Sequence, residues 1–526
     1  MVLVFAHFLL YHYFKMDTEP KGPEAARLRQ RKFALLRQFQ LPQDLLPGSL
    51  SVSLTRCGKP TCHCAQGQGH PAWSLTFMAA GKKRVERIPK DWVDDVRRRV
   101  DGPRLSGCSA RGPRRQRGVV GATAETATPL KGPHARQVQH YACHCLGLKS
   151  YFQRPGDGRA YPQIPARDLV WALVMGHLLR ETSFLRLEWL VHSPVRAELG
   201  IETEFGDDAL AYCTARMDPE TTRVALANAL HKAKRNKAFE NSRFIGLALD
   251  GTGAGHTYKE PCGLCDPVKD AKGETHGALH HFVLVSLVGA GLTLPVDVEP
   301  YGPGDSEYAA AQRLLRRAVQ HLGPRFADYV VGDGEYATAP FLHTTDEVGL
   351  PVVARLKENL PSLAAAVRAR FDGQPPHAVF QQGDDRVEVW DYDHFDSGET
   401  LHWPEVRVLR YRQHKPDGTV IQAEWLTDFP VAKLGSLSFY RIAKSRWEIE
   451  NQGFNDGKNR YGMEPICHHE PNSILIVWLL IALAMVIERL YRLRYLHRRD
   501  HDIRSAKDLL TYLWLTLGSR SPPDTG

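Results

Sequence analysis

The sequence predicts an α/β protein: a mixed sheet flanked by helices and carrying a β-rich insertion, preceded by a small β module and a helical region. Three observations predict it. Short apolar runs bounded by turn residues recur from Phe244 to Arg355, the pattern of strands covered on both faces. A helix-period segment, Ser306 to Leu322, interrupts them. Residues 378–428 are β-rich again, with runs at Val387 to Trp390, Val406 to Tyr411 and Val420 to Trp425.

At 526 residues the chain exceeds one average domain, and its character changes along its length. Residues 1–48 are an N-terminal segment, helical from about residue 16 to Phe39 and stopped by Pro42 and Pro47. Met1 to Phe14 is apolar but lacks the basic region and small-residue cleavage site of a secretory leader. Residues 1–15 are therefore read as non-native, with Met16 as the first residue. Residues 49–101 form a small Cys-containing β module: Leu50 to Leu54 and Trp73 to Phe77 alternate apolar and polar, Gly81-Lys82 turns the chain, and Val85 to Ile88 follows. Residues 102–135 have too little apolar content to bury a core and are read as a basic flexible linker. Residues 136–242 are read as a helical DNA-binding region, residues 243–490 hold the sheet, and residues 491–526 are a basic tail or helix. Ile474 to Ile487 is an unbroken apolar run, but it falls short of the roughly 20 residues that cross a bilayer. A buried core helix, with no membrane partner, is expected there.

Composition narrows the function. With 43% hydrophobic and 24% charged residues the chain is no disordered protein. Its net charge of +9 is concentrated, because residues 51–120 hold 15 Lys/Arg against 5 Asp/Glu. Such a local excess suits a polyanion such as DNA, whose phosphates release counterions to Lys and Arg. The ten cysteines fall in close sets, and without a secretory leader reduced thiols or metal ligands are expected rather than disulfides. The cytoplasm is the expected location.

Cutting and rejoining a phosphodiester requires an activated oxygen nucleophile and stabilisation of a departing alkoxide. Two divalent ions about 3.5–4 Å apart supply both, held by Asp and Glu oxygens. In an open sheet such carboxylates belong at the carboxyl ends of strands. Asp250 and Asp333 each follow a short apolar strand, and Gly251 or Gly334 comes next, leaving room for a phosphate to approach. A single aspartate there is more often a turn residue than a ligand. Two in order, with strands and a helix between, say more.

This arrangement resembles the RNase H-like core of the DDE transposases, in which the first Asp lies on strand one and the second on strand four. The segment Arg446 to Lys458 resembles the signature helix of the IS4-type branch, whose pattern is a Tyr, then Arg, three residues, Glu, and a downstream Lys. The resemblance covers about residues 165–490. It implies that Asp250, Asp333 and Glu450 are catalytic and bind Mg²⁺ or Mn²⁺, and that Arg446, Lys458, Arg441 and Tyr440 contact DNA. Glu448 is a weaker rival to Glu450, since it points about 200° away around a helix. The chain departs from the pattern twice. Ala443 stands where the Tyr is expected, with Tyr440 the nearest aromatic, and Lys458 lies eight rather than seven residues after Glu450. The resemblance implies a bacterial insertion-sequence transposase acting on double-stranded DNA, at terminal inverted repeats and at target DNA, as a dimer. The triad alone also suits an RNase H-like nuclease without strand transfer, and a domesticated DNA-binding protein is the reading outside catalysis.

Two Cys/His sets are candidates for structural Zn²⁺, each weighed against reduced structural thiols. Cys57, Cys62 and Cys64 with His70 (and His63 nearby) would staple the small β module, whose expected role is DNA binding. Cys262 and Cys265 with His276 and His280 approach finger spacing, although the intervening segment lacks the apolar residues of a finger helix.

Overall fold

A computed structural model describes residues 49–55, 70–79 and 82–88, with Cys62 and Val93, and residues 134–517 except 259–260, 397–400, 402, 404, 497–502 and 504. The chain divides into two compact units, residues 1–126 and 127–526. In the first, β1 (Ser49–Thr55), β2 (His70–Ala79) and β3 (Lys82–Ile88) form an antiparallel meander, with Leu50 opposite Leu75 and Trp73 opposite Ile88. Leu75 is buried, while Val52, Leu54 and Val85 are exposed. The strands fall where the sequence alternation predicts them, but in β1 that alternation is not an in–out one, since Ser51 to Leu54 are all exposed. The helix expected at 16–39 lies outside the described residues, as do residues 102–133 of the linker expected at 102–135; its last two residues, His134 and Ala135, instead begin a helix, His134–His140.

The second unit opens with helices, among them α1 (Ala166–Leu179) and α2 (Pro219–Arg235), and then builds one ten-stranded mixed sheet. Strands β4 (Gly246–Thr257), β5 (Cys265–Lys269), β6 (Thr275–Val288) and β7 (Leu294–Tyr301) come first. Helix α3 (Glu307–Leu322), N-capped by the Ser306 hydroxyl, crosses to β8 (Tyr329–Gly332), and a further helix leads to β9 (Val352–Leu356). β4 pairs antiparallel with β6 and parallel with β8, and β8 pairs parallel with β9. β5 and β7 share the far edge of β6. This is the RNase H-like strand order that the sequence predicts.

The β-rich block is no separate body. Strands β10 (Ala378–Gln382), β11 (Asp385–Asp396), β12 (Glu405–His414) and β13 (Val420–Thr427) form an antiparallel meander, and β13 pairs with β9. The insertion thus lengthens the central sheet. Helix α4 (Ser436–Glu448) packs across β4, β8 and β9 and continues through a π turn, Ile449–Phe454, into α5 (Asn455–Tyr461).

The apolar run becomes α6 (Pro471–Tyr491). It is long and apolar enough to cross a membrane, yet nearly all of it is buried in the fold, against α1, α2 and β7. Two charges inside it are paired. Arg180 and Tyr461 hold Glu488 at 2.7 and 2.6 Å, and Arg489 reaches Asp456 of α5 at 2.8 Å. Tyr491 and Tyr495, expected in a basic tail, pack on Tyr141 instead.

Candidate active site

The register of the parallel pair places the aspartates. Leu247 lies opposite Val330 and Ala248 opposite Val331, so two residues further on Asp250 comes level with Asp333, on the same face. β8 ends at Gly332, whereas β4 runs on to Thr257 against β6. Asp250 therefore stands where β4 loses its parallel neighbour, not at the strand's own end.

Helix α4 supplies the third carboxylate and the group that gathers all three. Arg446 and Glu450 are one turn apart, and Arg446 Nη1 donates to Glu450 Oε1 at 2.7 Å. Its Nη2 donates to Asp250 Oδ2 at 3.1 Å and to Asp333 Oδ2 at 3.3 Å. One guanidinium thus bonds carboxylates from two strands and a helix. Arg446 is buried by this, and its Nε has no hydrogen-bond partner among the described residues. The side chain expected to face DNA turns inward onto the acids.

Glu307, which nothing in the sequence singles out, is a fourth acid here. It accepts from Tyr336 at 2.7 Å and from Tyr301 at 3.4 Å. A Cβ on Gly251 would lie 2.1 Å from its Oε2, so this glycine makes room for Glu307 rather than for a phosphate. A Cβ on Gly334 would likewise meet the stem of Lys357 at 2.6 Å. Lys357 also reaches the site, from just past the end of β9. Its Nζ lies 2.6 Å from Asp333 Oδ1. The signal that marks both aspartates, a charged residue after an apolar run, marks it too.

The electrostatics divide the pair. Burial pushes Asp250 up to about 7; Arg446 pulls it down, while Glu307, Glu450 and Asp333 add to the rise. Burial would raise Asp333 as well, but the Lys357 hydrogen bond, the Glu335 N–H and Arg446 outweigh it and hold that carboxyl below the usual range. Openness also differs: the Asp250 and Asp333 side chains are 15% and 19% exposed, Glu450 is 42%. The site opens toward Glu450.

Lys458 also comes to the site. Its Nζ donates to Thr252 Oγ1 at 2.7 Å and to the Gly253 carbonyl, on the strand that carries Asp250. The π turn accounts for its spacing. An i→i+5 turn absorbs one extra residue, so eight positions after Glu450 Lys458 still faces β4. Glu448 lies away from the acids and accepts from the Gly289 N–H at 3.0 Å. Arg441 is exposed on α4.

Two expectations are corrected. Tyr440 is buried, not at a DNA surface; it packs against Phe380 and Tyr411 and donates to Gln382 at 2.5 Å. His276 is exposed and paired with Asp270 at 3.1 Å, so it does not join Cys262, Cys265 and His280. His469, from the segment before α6, takes that place. In the β module Cys62 Sγ lies 3.0 Å from His70 Nε2, and Cys57 and Cys64 lie outside the described residues.

Residues 242–487 match the model of the transposase DDE domain, and residues 25–98 match a domain of unknown function (DUF6788). Among solved structures the chain is similar to a piggyBac transposase synaptic complex with hairpin DNA, solved by cryo-EM. That similarity has 11% identity, covers 67% of this chain and 71% of that one, and has a TM-score of 0.35. No curated protein matches the chain.

Proposed function

We propose that the chain is a DDE transposase, since its residues 242–487 match the transposase DDE domain, and that Asp250, Asp333 and Glu450 are its catalytic carboxylates. What supports this is the single guanidinium of Arg446, which bonds all three. The donor set fits a divalent cation such as Mg²⁺ or Mn²⁺: hard oxygens only, several acids, and too little positive charge to balance them. When bound, such ions supply an activated nucleophile and charge stabilisation on both sides of an in-line displacement.

The chain's own groups do the rest. Arg446 holds the carboxylates in position before DNA arrives, so little ordering remains to be done. Lys357 and Lys458 flank the acids as cations suited to phosphate oxygens near the scissile bond. Glu450, the most open acid, faces the side from which a duplex enters. The substrate is double-stranded DNA, first at the element's terminal inverted repeats and then at the target, in the bacterial cytoplasm. Joining two ends calls for a dimer on DNA. The basic β module would hold DNA outside the scissile site.

The test is strand cleavage by Asp250→Asn and Glu450→Gln. Both are expected to fold and to bind end DNA, with cleavage reduced by roughly 100- to 1,000-fold or more. Full cleavage by either removes the assignment.

A further inference from the structure

Away from the carboxylates, four soft ligands meet at the outer end of β4 and β6. Cys262 and Cys265 lie on the turn that enters β5, His280 on β6, and His469 on the segment joining α5 to α6. Their ligand atoms all lie within 4.8 Å of one another. The two Sγ atoms are 3.8 Å apart, and the two Nε2 atoms 3.2 Å. Sulfur to nitrogen is 3.5 Å for Cys262–His280, 3.4 Å for Cys265–His280 and 3.1 Å for Cys265–His469. A tetrahedron with ordinary zinc–sulfur and zinc–nitrogen bonds has edges of about 3.8 Å, 3.3 Å and 3.6 Å for the S–S, N–N and S–N pairs.

The surroundings suit a metal as well. His280 is fully buried, and its Nδ1 lies 2.9 Å from the Gly255 carbonyl. Donation there fixes the tautomer that turns the Nε2 lone pair toward the other three ligands. The Cys262 N–H points at Cys265 Sγ at 3.3 Å, which orients that sulfur within the turn.

We infer that Cys262, Cys265, His280 and His469 bind one structural Zn²⁺ that ties the β4–β5–β6 corner to the strap between α5 and α6. The strap is where α5, carrying Lys458, hands over to the core helix, and its Ile466 already fills the space beside Gly255. Zinc here would fix the far end of β4 and the end of the signature helix to each other. The inference stands apart from the carboxylate reading, because zinc content is measured without catalysis.

The experiment is metal analysis of the full chain purified without chelator, wild type against Cys265→Ser, His469→Ala and His276→Ala. Cys265→Ser and His469→Ala are expected to hold one zinc per chain fewer than wild type, and His276→Ala the same as wild type. Because the difference is read, zinc in the N-terminal module does not confuse it. Equal zinc in wild type and His469→Ala overturns the proposal. Should Cys265→Ser fail to fold, Co²⁺ added to metal-stripped wild type gives the visible bands of a tetrahedral S₂N₂ site, weakened in His469→Ala. Absence of those bands overturns it too.

Discussion

Arg446 is the residue that makes the carboxylate cluster tolerable. Asp250, Asp333, Glu450 and Glu307 lie close together, and burial already drives Asp250 toward its neutral form. Removing the guanidinium leaves these charges unpaired, which costs roughly 3–5 kcal/mol when one partner of a buried pair is lost. Arg446→Met should therefore melt well below wild type in metal-free buffer and recover part of the loss on adding Mg²⁺, with a smaller metal effect in wild type. A variant as stable as wild type, or indifferent to Mg²⁺, contradicts this role. Asp250 and Asp333 were legible in the sequence because each closes an apolar run with a polar residue, although only Asp333 follows its strand's end and β4 continues past Asp250 to Thr257. Glu307 was not: it follows Ser306 as an ordinary acidic first turn of a helix, and only the fold turns it toward Gly251. His469 was equally hidden, since nothing local relates it to cysteines two hundred residues earlier.

At the level of elements, the site depends on how closely β4 and β8 approach and on how α4 is seated over them. Gly246 permits the approach, because a Cβ there would lie 2.1 Å from the Tyr329 ring. The Tyr329 hydroxyl is in turn bonded to Ser445 of α4 at 2.9 Å, one residue before Arg446. Gly246→Ala should destabilise by about 1–3 kcal/mol through overpacking and should lower cleavage as well, by shifting α4. Tyr329→Phe, which removes only the hydroxyl, should cost about 1 kcal/mol. Chemical denaturation and cleavage rates on the same samples check both, and a Gly246→Ala protein with unaltered stability refutes the packing argument. The strands of the core and the helix through Arg446 were readable from their apolar periods. The π turn was not, because Ile449 to Phe454 keeps a helical pattern and only the placing of Lys458 betrays the extra residue. Nor was the fusion of the β-rich block to β9, since strand pairing between distant segments leaves no local mark.

For the molecule as a whole, α6 and the helices around it form the base on which the sheet rests, and His177 reports on its integrity. His177 is fully buried on α1, its Nδ1 is 2.9 Å from the Tyr461 carbonyl, and Nε2 has no hydrogen-bond partner among the described residues. Burial, partly offset by the Tyr461 hydrogen bond and reinforced by Arg180, holds its pKa at about 4. In the unfolded chain the ring takes a proton near pH 6.5, so below that pH the unfolded state binds a proton that the folded state does not. Its contribution to stability is intact above pH 6.5 and falls, by up to roughly 3 kcal/mol, as the pH drops toward 4. Denaturation midpoints of wild type and His177→Gln across that range should converge as pH falls, and parallel curves would refute the assignment. Catalysis at this site requires that the acids gathered by Arg446 take up metal. Crystals of the full chain grown with Mn²⁺ and element-end DNA decide it by anomalous diffraction. The expected result is a manganese peak within ligand distance of Asp250, Asp333 and Glu450, lost in Asp333→Asn. Manganese bound elsewhere, with all three carboxylates still closed on Arg446, would contradict it.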